Sequence, residues 1–158
     1  GVLLRTHATN FQGRLLEIGN VRGFETYCPN KSKKFNDKNL EEISTLQDCP
    51  KLQFSDYSLL RQIDVLWFKN RGSNLIPEYA FEVELSTGVW SGVGRMGTLL
   101  DYNNVGLYII SNDKKKFKQV VNSFSEHKER YRFVENESLG QLYSAEINLR
   151  ELRVDIGL

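Results

Sequence analysis

Two apolar runs of this chain carry acidic residues at positions where a buried strand carries none. Ile63-Asp64-Val65-Leu66-Trp67-Phe68 is followed, after a short polar loop, by Tyr79-Ala80-Phe81-Glu82-Val83-Glu84-Leu85. Side chains alternate faces along a strand, so Glu82 and Glu84 point one way and Phe81, Val83 and Leu85 point the other, into a core. Asp64 interrupts Ile63, Val65 and Trp67 in the same fashion. Burying a carboxylate is costly unless it is paired or bound to a cation. Three of them converging on a hairpin-like pair of strands form the oxygen-rich set that a hard divalent cation takes. These residues alone point to a metal-dependent active site.

The 158 residues suffice for one well-packed core, and residues 1–158 are read as a single domain. Gly1 stands where Met is expected, as in a domain excised from a longer protein or a chain with a cloning scar. No apolar run approaches the ~20 residues of a membrane span. Gly1 to Leu4 is too short an apolar stretch for a signal peptide. Cys28 and Cys49 lack metal-ligand spacing, so reduced thiols in a cytoplasmic protein are expected. The formal charge of +1 gives no global preference for nucleic acid. The charge is patchy, with clusters at Lys31, Lys33 and Lys34, at Lys114, Lys115, Lys116 and Lys118, and at His127, Lys128, Arg130 and Arg132. Taken singly, such a cluster is more often a solvated face than a binding surface.

The order of elements is α/β. Asn10 is placed to cap a helix over 11–20, with Phe11, Leu15 and Ile18 on one stripe. Phe24 to Cys28 reads as a strand, and 31–50 as irregular with a helical turn at 40–43. Strands follow at 59–68 and 79–85, separated by a loop over 70–77. A helix over 92–102 is weakened by Gly94 and Gly97. Val105 to Ser111 is continuously apolar, as in a strand covered on both faces. Asp113 caps a helix carrying Phe117, Val120, Val121 and Phe124 at helical spacing. A last strand at 131–135 and a short helix at 138–143 complete the reading. The core order is αβββαβ, a central mixed sheet flanked by helices.

That order, with Asp64 on the second strand and Glu82-Val83-Glu84 on the third, resembles the PD-(D/E)xK, restriction-endonuclease-like nuclease superfamily. Local phrases resemble a bacterial and archaeal subgroup of it: Gln12-Gly13-Arg14-Leu15-Leu16-Glu17-Ile18-Gly19-Asn20, the run from Ile63 to Phe68, and Phe81 to Thr87 leading to Ser91-Gly92 and Arg95-Met96. Two departures stand out: Ile63 replaces the Pro before Asp64, and Glu84 replaces the motif Lys. The resemblance implies hydrolysis of a DNA phosphodiester, with Asp64, Glu82 and the carbonyl of Val83 holding Mg²⁺, for which Mn²⁺ substitutes. Glu84 would orient the attacking water, take its proton or hold a second ion. Arg95 is the candidate for phosphate or transition-state charge. Glu17, on the first helix, is a further candidate acid. Lys31, Lys33, Lys34, Ser86 and Thr87 are candidate DNA contacts. A homodimer, or further domains of a longer chain, fits the same picture.

Each residue has a plainer reading. Asp64 could be an edge-strand acid facing water, and Glu82 and Glu84 could line the wet face of an antiparallel strand. Glu17 could be a surface acid, Gln12 and His7 capping or packing residues, and Ser86 and Thr87 caps of the next helix. The loss of the motif Lys keeps open a domain that no longer cuts and serves as a nucleic-acid-binding or assembly module. A hydrolase of another phosphoester is a third reading.

Overall fold

A computed structural model describes residues 2–124 and 126–158. Helix α1 (Val2–Val21) lies against β1 (Glu25–Tyr27), and a small hairpin of β2 (Lys34–Phe35) and β3 (Lys38–Asn39) leads to α2 (Leu40–Ile43). Then come α3 (Tyr57–Leu60), β4 (Val65–Arg71), β5 (Asn74–Val83), α4 (Ser91–Arg95), a 3₁₀ turn at Met96–Leu99, β6 (Gly106–Ser111), α5 (Lys114–Asn122), β7 (Tyr131–Glu135) and α6 (Asn136–Ile156). The five-stranded sheet has the order β1-β4-β5-β6-β7. Its β1-β4-β5 half is antiparallel and its β5-β6-β7 half parallel. The expected mixed sheet flanked by helices is therefore present.

Both faces of the sheet are covered. Phe11, Leu15, Ile18, Val65, Trp67, Phe81, Ile110 and Leu139 pack under α1 and α6. Leu66, Phe68, Ala80, Val93, Met96, Leu107, Ile109, Phe117 and Val121 pack under α4 and α5. Strand alternation sorts Val65 and Trp67 to the first face and Leu66 and Phe68 to the second. Glu82, one step from Phe81, therefore points into the α4–α5 layer and is fully buried, so the wet-face reading of the acids does not hold. Gly19 lets α1 settle on the sheet: a Cβ there would stand 2.6 Å from Trp67 Nε1, which donates to the carbonyl of Leu15.

Several boundaries differ from expectation. Helix α1 begins well before Asn10, which is an interior residue rather than its cap. The stretch expected as a loop over 70–77 is a tight hairpin. Arg71 pairs with Asn74 around Gly72, whose φ is +60°, and Pro77 is accommodated beside a bulge. The strand expected from 59 starts at Val65, because 57–60 forms the Asp56-capped α3. The helix expected over 92–102 breaks into α4 and the 3₁₀ turn. The short helix expected at 138–143 extends over 21 residues. The turn at 40–43, the Asp113-capped helix and β7 stand where expected. None of the described helices is long and apolar enough to cross a membrane.

Candidate active site

Asp64 precedes β4, one step beyond the Val65–Phe81 pair, so it meets Glu82 across the two strands. Each carboxylate clasps the opposite strand. Glu82 Oε1 accepts from the Asp64 amide at 2.9 Å, and Asp64 Oδ2 accepts from the Val83 amide at 2.8 Å. Like charges directly opposite on a sheet repel. Burial pushes the Glu82 carboxyl well above its usual range, and the charge of Asp64 adds to the shift while Arg95 opposes it. Burial raises Asp64 as well, against the favourable Val83 amide. The two acids titrate together, and without a cation the pair resists losing both protons.

Arg95, from α4, offsets part of this charge. Its Nε and Nη2 approach one oxygen, Glu82 Oε2, at 2.9 and 2.8 Å. Glu82 is thus divided, with one oxygen on the start of β4 and the other on α4. Glu84 follows directly after β5 and accepts from the Gly92 amide at 2.9 Å. Its carboxyl is pushed up to about 7, chiefly by burial and further by Asp64, with Gly92, Arg95 and Lys116 opposing.

Gly92 lets the first turn of α4 close on these acids. A Cβ at this position would stand 2.5 Å from Glu82 Oε2 and closer still to Glu84 Oε1. Only a residue without a side chain permits that approach. The pattern of acids gives no hint of this requirement, although Gly92 sits in the phrase that follows them.

Two more residues join the site that sequence reasoning did not place there. Gln12, 1% exposed on α1, donates to the carbonyl of Asp64 at 3.1 Å and accepts from Asn30 Nδ2 at 3.1 Å. It ties α1 and the loop after β1 to the base of β4, beyond the packing role expected of it. Lys116, on α5, donates to the carbonyl of Gly88 and, at 3.5 Å, to that of Ser86. Its ammonium lies 5.1 Å from the centre of the Trp90 ring, and Trp90 Nε1 in turn donates to Ser86 O at 3.0 Å. The only sequence signal for Lys116 was its membership of a basic run.

The remaining candidates scatter. Glu17 accepts from Tyr143 Oη at 2.6 Å and so serves the α1–α6 contact. Ser86 and Thr87 are exposed on the loop between β5 and α4. The Ser86 hydroxyl accepts from the Gly88 amide, and the position capping α4 is Trp90 without a side-chain bond, so neither residue caps the helix. Lys33 and Lys34 are exposed, and Lys31 stands 4.0 Å from Asp48. His7 is an exposed residue of α1. Among the described residues no three His, Cys, Asp or Glu are grouped to hold an ion. Glu82 is turned to Arg95 and Glu84 to Gly92.

A family model described as the type II restriction enzyme NmeDI C-terminal domain matches residues 3–154. No curated protein and no solved structure matches the chain.

Proposed function

The chain belongs to the family of the type II restriction enzyme NmeDI C-terminal domain, and from that membership we propose that it is the DNA-cutting part of a restriction system. The reading is a PD-(D/E)xK-type endonuclease with Glu84 in the place of the motif Lys. The family supplies the nuclease setting and DNA as partner. The observation that carries a catalytic reading is the buried facing pair Asp64 and Glu82, with Glu84 converging on the same helix start.

The donor chemistry suits a hard divalent cation, because Asp64 and Glu82 face each other as buried oxygen donors and Glu84 follows just after the same strand. The three acids are not grouped around one point in this structure, so an ion would have to draw Glu82 from Arg95 and Glu84 from Gly92. Asp64 and Glu82, with the Val83 carbonyl, would hold Mg²⁺, and Mn²⁺ would substitute. Such an ion supplies Lewis-acid polarisation of a phosphate and a more acidic water. The other steps belong to the chain. Glu84, ionised above about 7, takes a proton from the attacking water. Arg95, whose side chain is 23% exposed, directs its guanidinium to the scissile phosphate. Gln12 and Gly92 hold the backbone that aims the acids. Ser86, Thr87, Lys31, Lys33 and Lys34 meet backbone phosphates, which makes binding salt-dependent.

Supercoiled plasmid incubated with the protein and Mg²⁺ or Mn²⁺ tests the reading. Nicking or linearisation that EDTA and Asp64→Asn both abolish is the expected result. The second reading, a nuclease-fold module that binds without cutting, draws on the engagement of all three acids by protein donors. It predicts DNA retention with neither cleavage nor heat of Mn²⁺ binding in calorimetry.

A further inference from the structure

Helix α6 outruns the domain it packs on. Gly140 lies beside the Arg14 guanidinium, and Tyr143 bonds Glu17, so α1 and α6 advance in the same direction. Helix α1 ends at Val21, and Ile147 is the last partly buried residue of α6. Every residue from Asn148 to Leu158 is exposed. An isolated helical segment this short is marginal in water, and a solvated one is expected to be polar all round. This one is not. Leu149, Leu152 and Ile156 are 42%, 49% and 69% exposed.

Most of the exposed apolar residues of α6 form a seam, with Val154 off it. Leu142, Ala145, Leu149, Leu152 and Ile156 follow steps of three and four, the spacing at which one helix packs along another. At its inner end the seam joins a cavity of about 210 Å³, which Leu142 lines together with Trp67, Tyr79 and Tyr108. Leu142 thus belongs both to the seam and to the apolar lining beside the sheet.

The charges beside the seam select an occupant. Glu146 and Arg153 stand on one flank, Asn148 and Asp155 on the other. In an antiparallel pair of identical helices, Leu149 can face Leu152, with Ala145 facing Ile156. Glu146 of one copy then lies beside Arg153 of the other, twice by symmetry. Shifting the pair so that Ala145 faces Leu149 sets Glu146 against its own copy. A parallel pair sets Arg153 against Asn148 and joins no opposite charges. We propose that the overhang of α6 is a self-association surface, on which a second copy of this chain docks as an antiparallel helix.

Four core layers make a small interface, so the dimer is a reversible one with dissociation in the micromolar range. Sedimentation equilibrium of the 158-residue protein from about 1 to 200 μM reads it directly. A monomer–dimer equilibrium is expected. Leu149→Glu with Leu152→Glu should weaken it by at least about a hundredfold while the thermal melt stays put, because both side chains are exposed. Arg153→Glu should weaken it about tenfold, and adding Glu146→Arg should restore it, since the reversed pair is again complementary. A wild-type protein that stays monomeric throughout, a dimer that survives the double Leu substitution, or a reversed pair that fails to restore association would overturn the proposal.

Discussion

Asp64 and Glu82 each hold the other's strand: the Glu82 carboxylate takes the amide of Asp64, and the Asp64 carboxylate takes the amide of Val83. The hydrogen bonds favour ionised acids, whereas burial and mutual repulsion oppose ionisation. A cation bound between them would remove the opposition and keep the bonds.

Asp64→Asn tests this balance. The amide oxygen still accepts from Val83, but one buried charge is gone. Without divalent cations at pH 8 the variant should be more stable than wild type by about 1 kcal/mol. Thermal melts in EDTA measure that gain, and the same protein should show no cleavage of plasmid DNA. A lower melting temperature would mean that the charge-assisted bond to Val83 outweighs the repulsion between the two acids.

Gly92→Ala should cost about 1–3 kcal/mol and depress cleavage, because the new methyl meets both Glu82 and Glu84. Gly94→Ala, two residues on, is the control. Nothing lies within 4 Å of a Cβ there, and the helix gains from losing a glycine, so stability should hold or rise slightly. Equal effects of the two substitutions, read by denaturant titration, would contradict the contact.

Glu84 gives a pH dependence of definite sign. Its folded-state value of about 7 lies above the unfolded 4.5, so the folded protein binds the extra proton between them. Its contribution to stability is complete below about 4.5 and is lost as pH rises through about 7. Melts in EDTA should show this decline, and Glu84→Gln should flatten it. In the cleavage assay the wild-type rate should climb through the same pH range, and Glu84→Gln should lose on the order of 10²–10⁴-fold.

Lys116→Met removes a cation that favours ionised Glu84. The rising limb of the pH–rate profile should then move to higher pH while the fold persists, since Lys116 is only partly buried. An unmoved limb would separate Lys116 from the chemistry and leave it a tether of the Ser86–Trp90 loop.

Local periodicity and local chemistry account for part of this fold and of its site. Alternation along Tyr79 to Leu85 puts Glu82 and Glu84 on one face whatever the rest of the chain does. The continuous apolar run at Val105–Ser111 demands cover on both faces, and Asp113 supplies a helix cap from its own side chain. The β4–β5 hairpin was harder to read, because its far end is exposed and polar and sends no apolar signal. Tertiary structure alone decided the register that sets Asp64 against Glu82, the close approach of Gly92, and the reach of Gln12 from α1 to Asp64 across 52 positions of sequence. It also decided that Glu17 belongs to Tyr143 rather than to the acids. Periodicity fixes the face on which a side chain lies, but its neighbour across the sheet or between layers is set by packing contacts between distant segments, and no local pattern encodes those.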